Sequence, residues 1–321
     1  MRDALISFPM LGENFVINPP AFFNIGNFSI YMYGVVIAVG FLLAVWYVSR
    51  TCSRFGITMD EVYDLIIFAV PTAIVGARLY YVVFNWPIYA GNFGSVFAIR
   101  DGGLAIYGGV IGAVLALWLR CRAKKTNLFS GLDIAAFGLL IGQFIGRWGN
   151  FFNREAFGYE TDIFCRMGLT IGGKTMYVHP TFLYESLWNF VGFILLHLHS
   201  RKNRKYSGQY FILYVVWYGI GRTFIEGLRT DSLWLIPDII RVSQLLAAVS
   251  ALAAIIVYII NARRINNGLR PIFGKLDADL AATEECEEAE NEPTLDENDI
   301  MNEEASADDC AEENLSDNEN T

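Results

Sequence analysis

The sequence is short of charged residues. Only 18% of its 321 residues are Asp, Glu, Lys or Arg, whereas about 25% is usual for a soluble domain. Apolar residues make up 54% of the chain, and the mean hydropathy is +0.36. These values exclude a soluble doubly wound enzyme and indicate a protein built to lie in a membrane.

Paired cysteines and metal-ligand motifs are also missing. The five cysteines are an odd number without paired spacing, which argues against a disulfide framework and a cysteine-type zinc site. Polar residues and prolines at 14–20 interrupt the N-terminal segment, so no cleaved signal peptide is predicted. Histidines and carboxylates never occur at metal-ligand spacing, and the glycine-rich stretches follow no predicted strand. We therefore expect no metal and no other cofactor.

Positive charge is absent from the C-terminal segment. Residues 277–321 contain 19 acidic residues and no Lys or Arg, so the remaining 14 acidic and all 24 basic residues lie in residues 1–276. The acidic segment also lacks the apolar residues that offset the entropy cost of ordering a chain. We predict a membrane domain over residues 1–274 and an acidic, disordered cytoplasmic tail over residues 275–321.

Long apolar runs are what the sequence has in abundance. A helix needs about 20 mainly apolar residues to cross the hydrocarbon of a bilayer. Seven runs approach this length, at residues 29–49, 62–84, 103–120, 129–146, 181–199, 208–228 and 239–260. The predicted fold class is therefore an all-α polytopic membrane protein with seven transmembrane helices.

Clusters of Lys and Arg orient these runs. They follow the first, third, fifth and seventh runs, near residues 50–54, 120–125, 201–205 and 263–270. Because short cytoplasmic connections carry the excess of positive charge, the N-terminus is predicted to lie outside and the C-terminus in the cytoplasm. This rule accounts for the basic clusters, so no nucleic-acid partner is expected.

A few charged residues fall inside the apolar runs or at their outer ends. Arg78 lies within the second run, Arg147 and Arg154 follow the fourth, and Arg222 and Glu226 lie in the outer half of the sixth, with Arg229 just beyond. Because charges are costly in hydrocarbon, these residues predict a buried cationic cavity that opens toward the outer leaflet. Two structural alternatives remain open: Arg222 and Glu226 as a simple helical ion pair, and Arg78 as a packing residue bonded to carbonyl groups.

The densest group of polar residues follows a ridge of small residues. Gly138, Gly142 and Gly146 are spaced four apart, which predicts close contact with another helix. The next residues complete the segment GRWGNFFNREAFG at 146–158, with two cations, two asparagines, a carboxylate and glycines at a predicted lipid boundary. We call residues 146–158 the signature segment, since a simple connection between helices rarely needs this composition.

The signature segment resembles that of the bacterial phosphatidylglycerol:prolipoprotein diacylglyceryl transferases. Four further elements resemble family motifs in order: YG at 33–34, GGLAIYGG at 102–109, HPTFLYE at 179–185 and YGIGRTFIE at 218–226. The resemblance implies transfer of the diacylglyceryl group from phosphatidylglycerol to the lipobox cysteine thiol of a prolipoprotein, with release of glycerol 1-phosphate. It also implies a bacterial cell membrane protein, with phosphatidylglycerol, lipobox peptides and membrane lipids as partners.

The resemblance assigns roles to individual residues. Arg147 is predicted to hold the lipid phosphate, because a guanidinium offers bidentate, charge-assisted hydrogen bonds. Asn150 and Asn153 are predicted to position the glycerol hydroxyls or to brace the loop. Arg222, oriented by Glu226, is predicted to stabilise the leaving phosphate. The other predicted substrate-binding residues are Tyr33, Arg78, Glu155, Gly158, Glu185 and Tyr218.

The group that deprotonates the thiol stays open. Tyr107 stands before Gly108 and Gly109, where the family has often been discussed with a histidine, and a phenol titrates near 10. Tyr107 and His179 are both included among the predicted catalytic residues. The alternative for His179 is a hydrogen-bonded residue at the N-terminal end of a helix before Pro180.

A second class of function also fits a cationic cavity. An anion or lipid transporter would use the same arginines but move its substrate without changing it covalently. Transporter sites usually lie near the midplane between two related halves, whereas no repeat is evident and the buried charges lie toward the outer end. The sequence therefore favours the transferase over the transporter.

Overall fold

A computed structural model describes residues 4–12, 15–26, 28–99, 102–124, 126–231, 234–236 and 240–277. The described part of the chain is mostly helical. Its α-helices are α1 (Met32–Thr51), α2 (Met59–Phe84), the short α3 (Trp86–Tyr89), α4 (Ile106–Lys124), α5 (Leu128–Asn153), α6 (Thr181–Ser200), α7 (Gln209–Glu226) and α8 (Val242–Asn266). The predicted acidic tail from residue 278 onward lies outside the described residues.

Six of these helices are long and apolar enough to cross a membrane. They are α1 with the turn that follows it, α2, α4, α5, α6 and α8. The seventh predicted run coincides with α7, whose 18 residues include Gln209, Arg222 and Glu226 and which packs mainly against α8, α5 and α6. A mostly helical protein with six candidate spans is therefore established, while the seventh span and the orientation stay predictions.

The fold is mostly helical, but short strands, which the prediction of an all-α fold did not include, connect the helices. A four-stranded antiparallel sheet has the order β2-β1-β5-β6, and two hairpins pair β3 with β4 and β7 with β8. The strands are β1 (Leu5–Ser7), β2 (Val16–Ile17), β3 (Phe22–Ile25), β4 (Phe28–Tyr31), β5 (Met167–Ile171), β6 (Lys174–Val178), β7 (Trp234–Ile236) and β8 (Ile240–Arg241). These strands are too short to be detected by a search for apolar runs of membrane-spanning length.

The four-stranded sheet covers a small apolar core beside the end of α5. Ile6 from β1, Leu169 from β5 and Val178 from β6 are almost fully buried, and they pack with Phe182 at the start of α6. Phe151 of the signature segment joins this cluster. The sheet therefore fixes the N-terminal segment against the end of α5 and the start of α6.

Two of the three glycines in the predicted ridge, Gly138 and Gly146, contact α1. A Cβ atom on Gly146 would lie 3.3 Å from Ile37 of α1, and one on Gly138 would lie 3.7 Å from Val48. On the α1 side, a Cβ on Gly40 would lie 3.2 Å from Ile145. Small residues on both surfaces thus let α1 and α5 approach closely, as the sequence predicts.

The contact between α6 and α7 is built around two tryptophans. The rings of Trp188 and Trp217 stack with centroids 4.4 Å apart, and each indole N–H donates to the other residue's carbonyl oxygen at 2.9 Å. Gly192 and Gly221 leave the space, since a Cβ on either would approach an indole nitrogen to 2.2 Å. This exchange satisfies both polar N–H groups inside the bundle and fixes the register of the two helices.

Asp133 joins the starts of α5 and α7. Its fully buried carboxylate accepts hydrogen bonds from the backbone N–H groups of Gly208 at 2.8 Å and Phe211 at 2.9 Å. These groups belong to the unpaired first turn of α7, where negative charge is also favoured by the helix dipole. Arg204 lies 3.8 Å away as a counter-ion. Asp133 therefore caps a neighbouring helix.

Candidate active site

The signature segment begins inside α5 and continues into a tight turn. A Cβ on Gly149 would approach the Tyr33 ring to 2.7 Å, so this glycine lets the predicted site residue Tyr33 pack directly on the α5 backbone. Arg154 ends α5 in the left-handed conformation, with a φ of 52°. Backbone N–H groups of Arg154 and Glu155 donate to carbonyl oxygens of the last turn of α5.

Arg154 does not point into a cationic cavity. It is 3% exposed, and its guanidinium donates to Ala4 O at 2.8 Å, to Pro19 O at 2.7 Å and to Asn18 Oδ1 at 2.7 Å. The expectation that Arg154 belongs to the cavity was therefore wrong. It holds the N-terminal segment against the end of α5.

Gly158 lies where three chain segments meet. Its N–H donates to His179 O at 2.9 Å, and a Cβ at this position would come within 2.7 Å of both His179 Cβ and Leu228 O. The next residue, Tyr159, donates its N–H to Leu228 O at 2.9 Å. The absence of a side chain at Gly158 thus allows the signature segment to pack against the start of α6 and the end of α7.

Glu185 is the centre of the site. This residue is 2% exposed and lies one turn inside α6. Arg147 from α5 donates to Oε1, Arg222 Nη1 from α7 lies 3.2 Å from Oε2, and Arg229 Nη1 lies 3.9 Å from Oε2. Three arginines from two separate parts of the sequence therefore converge on one buried carboxylate.

Arg222 also contacts a second buried carboxylate. Its Nη2 lies 2.6 Å from Oε2 of Glu226, one turn further along α7. Because Arg222 contacts Glu185 as well, the alternative of an isolated helical pair was wrong. Tyr218 lies one turn before Arg222 and interacts electrostatically with Glu185, Arg222, Arg147 and Glu226. We call Arg147, Arg222, Arg229, Glu185 and Glu226 the arginine cluster.

The two kinds of charge in the arginine cluster differ in accessibility. The side chains of Arg147 and Arg222 are 21% and 16% exposed, whereas those of Glu185 and Glu226 are each 3% exposed. A guanidinium has five N–H donors, more than these contacts use. The buried carboxylates therefore hold the arginines in position, and the partly exposed guanidinium groups have further N–H donors available for an anion. This arrangement suits a phosphate group.

The asparagines and Glu155 of the signature segment lie near its turn. Asn153 Nδ2 donates to Glu155 Oε1 at 3.2 Å, and the half-buried Asn150 accepts the Glu155 N–H on its backbone oxygen at 3.1 Å. The Asn153 side chain therefore contacts Glu155 in the loop, whereas the contact of Asn150 is made by its backbone. Their predicted contacts with the lipid stay a proposal.

Arg78 is separate from the arginine cluster in its contacts. Its buried guanidinium donates to backbone carbonyl oxygens of the segment that precedes α4, at distances from 2.6 to 3.3 Å. The five acceptors are the oxygens of Ser95, Val96, Ala98, Gly102 and Gly103. This matches the structural alternative for Arg78, which organises a loop.

Neither predicted base contacts the arginine cluster through the described hydrogen bonds or ion pairs. Tyr107 lies at the start of α4, 39% exposed, with its ring centroid 6.4 Å from that of Tyr80. His179 precedes α6, and its Nδ1 lies 3.4 Å from the hydroxyl of Tyr184. Burial lowers the pKa of His179 below its usual 6.5.

Comparison with known proteins supplies the family. A family model described as prolipoprotein diacylglyceryl transferase matches residues 20–260. A phosphatidylglycerol--prolipoprotein diacylglyceryl transferase of Bacillus cereus (strain G9842) is 45% identical over 245 residues, which cover 74% of this chain and 90% of the relative. A protein of the same name from Bacillus anthracis (strain A0248) matches with the same identity and coverage. The chain belongs to the prolipoprotein diacylglyceryl transferase family.

The family match contains every residue of the arginine cluster and ends before the acidic tail. Arg229 is expected among the charges of the cavity, but neither Arg229 nor Asp231 is among the predicted catalytic or binding residues. Arg229 donates from Nε and Nη2 to the two oxygens of Asp231 at 2.9 and 2.7 Å, and this bidentate pairing lowers the pKa of Asp231. The signal for Arg229 is its position three residues after Glu226, at the end of α7.

Proposed function

We propose that this protein transfers the diacylglyceryl group of phosphatidylglycerol to the lipobox cysteine thiol of prolipoproteins. The observation that carries the proposal is the convergence of Arg147, Arg222 and Arg229 on the buried Glu185. The relatives of this family are named for a reaction with phosphatidylglycerol, which carries a phosphate that the cluster can bind. The same names favour a transferase over a transporter.

The proposed reaction is a displacement at carbon. The thiol sulfur forms a bond to the glycerol carbon that carries the phosphate ester, and the carbon–oxygen bond breaks. The phosphate oxygen keeps the bonding electrons, and the thiol proton ends on the glycerol 1-phosphate that leaves. Arg147 and Arg222 stabilise the charge that develops on this phosphate, with about 3 kcal/mol for each well-placed donor in a site of low dielectric constant.

The arginine cluster also favours the thiolate. Neighbouring cations lower the pKa of a cysteine thiol from its usual value of about 8.5. Tyr107 and His179 lack contacts with the cluster among the described hydrogen bonds, and burial lowers the pKa of His179, which makes its imidazole a weaker base. We therefore propose that the arginines provide most of the thiol activation, with Tyr107 and His179 as supporting residues of the wider site.

The remaining predicted residues have supporting roles in the proposal. Tyr33 packs on Gly149, Gly158 fixes the turn, and Tyr218 lies beside the cluster. Asn150, Asn153 and Glu155 belong to the turn that follows Arg147, and in the proposal they contact the lipid headgroup. Arg78 orders the segment before α4.

We propose that α7 is the seventh membrane span and that the chain lies in the bacterial cytoplasmic membrane. Helix α7 packs between helices that are candidate spans, and its charges are paired with partners on α6 or on itself. With seven spans, the basic ends of α1, α4, α6 and α8 lie in the cytoplasm. The N-terminus and the arginine cluster then lie on the outer side.

The experiment is a transfer assay with purified protein in detergent. Phosphatidylglycerol and a lipobox peptide should yield a peptide with a thioether-linked diacylglyceryl group, and a peptide with serine in place of cysteine should yield none. Flux of lipid or anion across proteoliposomes without any covalent product would instead support the transporter.

A further inference from the structure

A second polar layer lies one helical turn below the contact between Arg147 and Glu185. Helices α5 and α6 are antiparallel, since Arg147 contacts Glu185 while Ser186 donates its hydroxyl to Phe144 O at 2.7 Å. Four residues further inside the bundle, α5 carries Gln143 and α6 carries Asn189. Four residues rise about 6 Å along a helix and return to the same face.

Both amides of this layer have unused hydrogen-bonding atoms. Asn189 is fully buried, and its Oδ1 and Nδ2 have no hydrogen-bond partner among the residues that the structure describes. Gln143 donates from Nε2 to the hydroxyl of Tyr214 at 2.8 Å, while its buried Oε1 has no such partner. The layer therefore offers one amide donor group and two acceptor oxygens to a ligand.

Packing gives no reason for these amides. A buried polar group without a partner is destabilising, and an apolar side chain would fill the same space without that cost. A second buried asparagine shows the usual solution. Asn261 of α8 donates to Phe273 O and accepts the Ile272 N–H, both at 2.9 Å. Asn189 thus differs from Asn261 in lacking hydrogen-bond partners within the described part of the chain, which points to a bound ligand.

We propose that Gln143 and Asn189 form an inner subsite that binds the hydroxyl groups of the phosphatidylglycerol headgroup. The inference rests on the proposed function, in which Arg147 and Arg222 hold the phosphate. The headgroup glycerol extends beyond the phosphate by about the length of one helical turn. A hydroxyl group donates one hydrogen bond and accepts others, so it matches the two oxygens and the amide donor of the layer.

The same layer selects against other phospholipid headgroups. An ammonium group donates but cannot accept, so it leaves Asn189 Nδ2 unpaired. It also carries a positive charge toward Arg147 and Arg222. A headgroup of similar size without hydroxyls leaves all three amide atoms unpaired. The subsite is therefore expected to favour phosphatidylglycerol over lipids with the same phosphate and acyl chains.

The test compares two short-chain lipids with the full-length protein in detergent. Dioctanoyl phosphatidylglycerol and dioctanoyl phosphatidylpropanol share the phosphate and the tails, but only the first has headgroup hydroxyls. Wild type should bind the first at least about tenfold more tightly, and should transfer from it with a similarly higher kcat/KM. Asn189→Leu and Gln143→Leu should each remove most of this preference while binding phosphatidylpropanol as wild type does.

Asn261→Leu is the matched control, since it removes a buried asparagine that is satisfied by the protein. It should lower the unfolding midpoint and leave the lipid preference unchanged, whereas Asn189→Leu should leave the midpoint unchanged or raise it. An unchanged preference in Asn189→Leu would overturn the subsite. An equal loss with both lipids would also overturn it and assign the amides to water. If wild type shows the binding preference but no transfer, the subsite stands and the proposed function fails.

Discussion

Two buried carboxylates in the helical bundle have opposite kinds of partner. Asp133, near the starts of α5 and α7, is bonded to backbone N–H groups of Gly208 and Phe211. Glu185, near the ends of the same two helices, is surrounded by arginine side chains. Backbone donors are fixed by the helix they belong to, whereas guanidinium groups can turn toward another anion.

The difference separates a structural charge from a functional one. Asp133 satisfies donors that every helix leaves unpaired at its start, so its role is complete without a ligand. Glu185 concentrates positive charge at a place where the arginines remain partly exposed. A buried carboxylate thus indicates a binding site when its partners are partly exposed side chains and not backbone N–H groups. The following variants test this distinction.

The largest expected effect is on stability at Asp133. Asp133→Ala leaves the buried N–H groups of Gly208 and Phe211 without their acceptor and removes the carboxylate beside Arg204, so the free energy of unfolding should fall by about 3–5 kcal/mol. Thermal unfolding in detergent measures the change. The matched control is Asp64→Ala, because Asp64 pairs with Arg120 and Lys124 and its side chain is 34% exposed. That loss should be about 0–1 kcal/mol. Equal losses would contradict the role of Asp133 as a cap.

The next effect is on catalysis at Arg222. Arg222→Ala should reduce transfer by about 10²–10³-fold, because one preorganised donor to the leaving phosphate is lost. Arg222→Lys keeps the charge without the bidentate fork, so its activity should lie between those of wild type and Arg222→Ala. The transfer assay with a lipobox peptide measures both variants. Activity of Arg222→Ala within about twofold of wild type would rule out this role.

A smaller effect tests how the signature segment is held. Gly158→Ala places a methyl group against His179 and Leu228, so the free energy of unfolding should fall by about 1–3 kcal/mol, and transfer should fall with it. Gly142→Ala in α5 is the control, since among the described residues nothing beyond the local backbone of its own helix lies within 4 Å of a Cβ at that position. The control should be neutral, or stabilising by up to about 1 kcal/mol. Similar unfolding midpoints for the two variants would contradict the prediction, because they would show that the turn at Gly158 accommodates a methyl group.

The smallest effect concerns pH. Burial lowers the pKa of His179 in the folded protein, so the unfolded chain binds a proton first as pH falls below about 6.5. The stability of wild type should therefore decrease slightly below this pH, relative to His179→Gln, and the two should run parallel above it. Unfolding midpoints from pH 5 to 7.5 measure the difference. A loss of stability above pH 6.5 that is specific to wild type would contradict the direction of the shift.

The long helices and the main site residues could be predicted from the sequence. Apolar runs locate α1, α2, α4, α5, α6 and α8, because membrane-length helices need continuous apolar stretches. Arg147, Arg222 and Glu185 were identified because their motifs occur in order along the chain. That all three meet is a property of the packing between α5, α6 and α7, which no local pattern encodes.

Other features depend on contacts that a single sequence does not display. Strands of two to five residues, such as β1 and β2, become recognisable only through their pairing across the chain. Asp133 lies within an apolar run, and its capping role depends on Gly208, which is distant in sequence. The spacing of four residues between Glu185 and Asn189 was the available signal for the inner layer.

The central claim is that the arginine cluster acts on a ligand and is not needed to hold the fold. Its most direct test measures transfer and thermal unfolding on the same preparation of Arg147→Ala. We expect transfer to fall by at least about 100-fold, while the unfolding midpoint stays close to that of wild type, because Glu185 keeps Arg222 and Arg229. Undiminished transfer, or a drop in midpoint as large as that of Asp133→Ala, would contradict the account.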